Sequence, residues 1–96
     1  MSTTTVYISI GNTDHKLSQE DWSDYSTEVI DAVHEHAEQV LGEYYSASNA
    51  PHQNACIAAR IPDSVAGDLR TALAEIRTDY GKSSIAWAVV KRTERV

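Results

Sequence analysis

The spacing of apolar residues changes period repeatedly along this chain, and that succession limits the folds open to it more than any other feature. Val6, Ile8 and Ile10 alternate with Tyr7 and Ser9, the period-two pattern of a half-buried strand. Gly11-Asn12 breaks the pattern, and a polar stretch runs to Ser18. Ser18 is a good helix N-cap, with Asp21 three residues on in a near capping-box arrangement. From Gln19 to about Ala37 the period becomes helical. Trp22, Tyr25, Val29, Val33 and Ala37 form one stripe, with Ile30 beside it. Gln39 to Ser46 reads as a second strand, and residues 46–54 are rich in turn formers. Ala55, Ile57, Ala59 and Ile61 give a third strand its buried face. Pro62-Asp63-Ser64 then opens a second helix with Val65, Leu69, Leu73, Ile76 and Tyr80 as its stripe. Gly81 suits a left-handed helix stop. Ser84 to Lys91 is the last strand.

The order is therefore β-α-β-β-α-β within 96 residues, which is one domain's length and enough for a modest core. Residues 1–4 and 92–96 are expected to fray. Helix crossovers between strands of one sheet are right-handed. Two split β-α-β units joined by a hairpin resemble the ferredoxin-like fold. That resemblance covers residues 5–91 and implies an α+β sandwich: a four-stranded antiparallel sheet, order 4-1-3-2, with two helices on one face. It carries no activity, because this topology hosts many unrelated functions, and iron–sulfur ligands are absent. The segments GNTDHKLSQEDW and APHQNACI are also similar to stretches of small uncharacterised proteins from actinobacteria or their phages.

Charge narrows the partners. Eight Lys and Arg stand against fourteen Asp and Glu, a formal net charge of -6, which argues against direct nucleic-acid binding. Residues 14–43 hold nine acids and one base, so the excess lies on the first helix and its borders. Asp24, Glu28, Asp31 and Glu35 are the expected docking face for a basic protein partner. No signal or membrane-spanning segment is evident, and Cys56 is the lone cysteine, so a reducing cytoplasm is the expected compartment. No phosphate-loop, dinucleotide or nucleophile-elbow motif occurs, and no cofactor is expected.

The topology predicts that loops 11–18, 46–54 and 80–84 converge at one sheet edge. They would bring together Asn12, Asp14, His15, His52, Gln53 and Asn54, with Trp22 and Tyr80 nearby, as a small-molecule or modest catalytic site. Asp14, His15 and His52 are candidates for a metal or acid–base set. Cys56 with His52 is a weaker candidate for a nucleophile pair. On the first helix, Asp31, His34, Glu35 and Glu38 share a face but offer only one nitrogen ligand. The outer sheet face should present Tyr7, Ser9, Cys56, Ala58 and Arg60, joined by either Ala86 and Ala88 or Ile85 and Trp87. A flat face of small apolar residues is costly in water, and a homodimer with sheets face to face would cover it. The leading expectation is a non-catalytic, homodimeric protein-binding module. The alternative is the loop-edge site.

Overall fold

The computed structural model describes residues 2–96; Met1, in the stretch expected to fray, lies outside them. The elements are β1 (Thr3–Gly11), α1 (Gln19–His36), β2 (Gln39–Tyr45), β3 (Asn54–Pro62), α2 (Asp63–Asp79) and β4 (Ala86–Val89). All strand pairings are antiparallel, in the order β2-β3-β1-β4, which read from the other edge is 4-1-3-2. The α+β sandwich expected from the period changes is the observed architecture.

One side of the sheet makes the core. Val6, Ile8 and Ile10 of β1 and Ala55, Ile57, Ala59 and Ile61 of β3 are buried together with Tyr25, Val29 and Val33 of α1 and Leu69 and Leu73 of α2. Each large aliphatic side chain removed from water there contributes roughly 1.5–3 kcal/mol. The α1 stripe buries because its start and stop are fixed locally. The Ser18 hydroxyl accepts the Asp21 N–H at 3.1 Å, and the Ala37 N–H donates back to the Val33 carbonyl at 2.8 Å. Beyond α2, Gly81 adopts φ 66°, the left-handed stop its position predicts.

Three local features depart from the sequence reading. Thr3 and Thr4, expected to fray, pair with Pro62 and Ile61, and the Asp63 N–H is bonded to the Ser2 carbonyl at 3.0 Å. The last strand spans four residues rather than eight, although the Val90 N–H still reaches the Thr5 carbonyl at 2.9 Å. A short edge strand of this kind limits unwanted pairing with other chains. Third, β2 carries an irregularity between Val40 and Gly42 that inserts Leu41 into the ladder and leaves it exposed.

The face of β4, open from sequence, is settled by packing. Ile85 and Trp87 lie against the core, so Ala86 and Ala88 look outward. The molecule measures 40 × 34 × 19 Å. Its thin dimension holds one helical layer and one sheet, and the outer sheet face is bare.

Candidate functional site

The three loops do meet, and their polar groups are largely spent on one another. Asn12 is 2 % exposed and acts as a staple within loop 11–18. Its Oδ1 accepts the Leu17 N–H at 3.1 Å, and its Nδ2 donates to the Leu17 carbonyl at 3.0 Å and to Gln53 Oε1 at 3.3 Å. The Asn12 N–H also donates to the Gln53 carbonyl at 2.9 Å, joining this loop to 46–54. Buried Gln53 and exposed Gln19 exchange amide hydrogen bonds at 2.7 and 3.0 Å. Asn54 is held by Ser46, whose hydroxyl accepts its N–H at 3.0 Å, while Asn54 Nδ2 donates to the His52 carbonyl at 2.9 Å. The third loop joins through Lys82 Nζ, which donates to Asp14 Oδ1 at 2.8 Å. That hydrogen bond, with the Lys16 N–H, holds the Asp14 carboxyl below its ordinary 3.8.

The metal readings do not survive this geometry. No group of three His, Cys, Asp or Glu side chains able to hold an ion occurs among the described residues. Asp14 is committed to Lys82, and His15 and His52 are exposed, with His15 at φ 55°. On α1, His34 turns instead to Glu43 of β2 at 3.2 Å. Cys56 has Ser9, not His52, as its partner: the Ser9 hydroxyl donates to Sγ at 3.3 Å on the outer sheet face.

Of the loop-edge candidates, Trp22 and Gln53 line a concavity, displaced from the loops toward α1. A groove of about 690 Å³ runs between α1 and the β2–β3 hairpin. Gln19 and Gln53 sit at one end, Trp22 and Ile30 along the helix wall, and Tyr45 and Asp31 at the other end. Ser23, Ser26 and Thr27 complete the helix side. The sequence reading missed this wall because its polar members look like a wetted face. The signal was a second i, i+3/i+4 stripe, Gln19-Trp22-Ser23-Ser26-Thr27-Ile30, beside the apolar one.

Asp24, Glu28, Asp31 and Glu35 are all exposed on α1. Glu28 is not free, since it accepts the Tyr80 hydroxyl, which ties α1 to the end of α2. Tyr80 packs on Tyr25 with ring centroids 5.2 Å apart, and the Trp22 and Tyr25 ring centroids are 6.2 Å apart. Hydrogen bonding to Glu28 and then burial push the Tyr80 hydroxyl up to about 12; burial alone does the same for Tyr25. The folded chain therefore keeps two protons that the unfolded chain releases near 10. Their contribution to stability is complete below pH 10 and is lost as pH rises toward 12. The buried Tyr25 hydroxyl has no hydrogen-bond partner among the described residues. Tyr25→Phe is accordingly expected to raise stability by up to about 1 kcal/mol and to weaken the alkaline loss, read from urea unfolding at pH 8 and 11.

The outer sheet face is ordered in rows by the strand register. One row across the sheet is Tyr44, Cys56, Ser9 and Ala86; the next is Gly42, Ala58, Tyr7 and Ala88. Each row has one tyrosine among small residues, Tyr44 on the edge strand β2 and Tyr7 on the inner strand β1. Tyr44 and Tyr7 are 57 % and 45 % exposed. Arg60 closes this face beside Thr5 and Gln39.

No protein-family model and no curated protein matches the chain. Among the described residues, no helix is long and apolar enough to cross a membrane. Among solved structures, a DUF3240 family protein from Shewanella baltica OS155 is similar in fold, with a TM-score of 0.55 and 16% identity over 100% of this chain and 97% of that one. The likeness is one of backbone architecture, a small α+β domain around a four-stranded sheet.

Proposed function

We propose that this chain is a non-catalytic protein-binding module that works as a homodimer through its outer sheet face. The observation that carries the reading is the pair of rows on that face, in which two half-exposed tyrosines stand beside Gly42, Ala58, Ser9 and Ala86. A second copy turned about a two-fold axis sets its tyrosines over the small residues of the first, the self-complementary pattern an isologous contact needs.

In such a dimer Cys56 is covered. Its labelling by a maleimide is expected to slow as protein concentration rises; a rate independent of concentration contradicts the dimer. The α1 layer faces away from that contact and offers Asp24, Asp31 and Glu35 to a basic partner. Partner capture is expected to be lost when these three are changed to lysine, and to weaken with added salt. Capture that survives the reversal contradicts the docking face.

A further inference from the structure

The helices leave a gap above β4, on the opposite side of the sheet from the dimer face. Arg70, Leu73, Ala74 and Arg77 follow one another at i, i+3, i+4 and i+7, so they form one stripe of α2, and that stripe faces Ile85 and Trp87. These six residues line a cavity of about 150 Å³. Two of them are arginines and none is an acid, in a chain whose formal net charge is -6. Between the arginines the lining is apolar: Leu73 is buried, and Ala74 and Ile85 are partly so. The Arg70 guanidinium lies over the Trp87 ring, its carbon 5.4 Å from the centroid. At the other end, Arg77 Nη1 donates to the carbonyls of Lys82 and Ser83 at 3.3 and 3.4 Å, which anchors that guanidinium just ahead of Ile85. Among the described residues, neither arginine is paired with a carboxylate. A guanidinium carries five N–H donors, so most of those at this cavity are unclaimed.

A cation is repelled from such a cavity, and a purely apolar molecule leaves both guanidiniums unused. A compact anion suits one of them, but the two side chains leave α2 two turns apart, about 10.5 Å along its axis. A carboxylate in a bidentate pair sits about 2.8 Å from the guanidinium nitrogens. One carboxylate at each arginine therefore leaves the span of a few methylenes between them, and Leu73, Ala74 and Ile85 are the surface those methylenes meet. The volume sets the same limit, since it is well below the roughly 300 Å³ at which drug-sized sites begin. We propose that the cavity between α2 and β4 binds a short aliphatic dicarboxylate, one carboxylate on Arg70 and the other on Arg77.

The test is an NMR titration of the isotope-labelled full chain with glutarate, up to about 20 mM at matched ionic strength, a range suited to millimolar affinity. Trp87 borders the cavity, and Trp22, the other tryptophan, lines the separate groove beside α1. The expected result is a saturable shift of the Trp87 indole signal while that of Trp22 stays fixed. Butyrate, which has one carboxylate, and inorganic phosphate, which is compact, are each expected to bind at least about tenfold more weakly. Cadaverine, with two ammonium groups on the same five-carbon chain, is expected to leave Trp87 unmoved. Arg70→Gln is expected to weaken glutarate binding roughly tenfold, with an unchanged Trp22 signal as the check on folding. Arg95→Gln, the same charge change in the exposed tail, is expected to alter it less than about twofold. A Trp87 shift that does not saturate, butyrate or phosphate binding as tightly as glutarate, or equal losses in the two variants would overturn the proposal.

Discussion

Placing a glutamate at position 58 is expected to weaken self-association at least about a hundredfold while leaving the monomer folded. Ala58 lies at the middle of the outer face, between Gly42 and Tyr7 in the register. A two-fold contact brings each substituted position in twice, so two carboxylates are desolvated in a face where, among the described strand residues, Arg60 is the one base to meet them. A hundredfold change corresponds to about 2.8 kcal/mol, well within the cost of burying such groups. The monomer tolerates the change because the Ala58 side chain points away from the core, opposite the buried Ile57 and Ala59. Tyr7→Ala is the complementary variant. It removes one of the two tyrosine knobs without adding charge, and a smaller loss of roughly tenfold is expected. Both are measured by sedimentation, with circular dichroism as the folding check.

Asn12→Ala is expected to cost about 2–3 kcal/mol of unfolding free energy, the second large effect. The substitution leaves the buried Leu17 N–H and carbonyl without the Asn12 amide and strips a donor from Gln53 Oε1. Asn12→Asp is expected to be at least as damaging, since a carboxylate oxygen then faces the Leu17 carbonyl and Gln53 Oε1 where Nδ2 donated to both. His15→Ala and His52→Ala, in the same loops but exposed, are expected to change stability by less than about 0.5 kcal/mol. Urea unfolding of the four variants checks the contrast. A small cost for both Asn12 variants would mean that Asn12 is free to serve a ligand rather than the loop.

The elements were legible because their periods differ: β1 and β3 alternate, and the α1 and α2 stripes recur every three or four residues. Convergence of the loops followed from topology alone. What each loop does there did not, because Asn12 and Gln53 are 41 residues apart and polarity does not say whether a side chain serves solvent, a ligand or another loop. The histidines drew attention for their chemistry, yet the residues that organise the edge are two glutamines and an asparagine with none of it. The outward side of β4 was ambiguous because Ala86 and Ala88 are apolar like Ile85 and Trp87, and only packing against Arg70 and the core separates them. The inserted Leu41 leaves no mark in the pattern, and neither does the length of the last strand, which pairs only with Val6–Ser9 of the longer β1.

The central claim is that the bare face of the sheet is covered by a second copy. Sedimentation equilibrium of the unaltered chain, from low micromolar to high micromolar concentration, tests it most directly. The account predicts a weight-average mass climbing toward twice the 10.6 kDa of the chain. A single 10.6 kDa species at every concentration would contradict it.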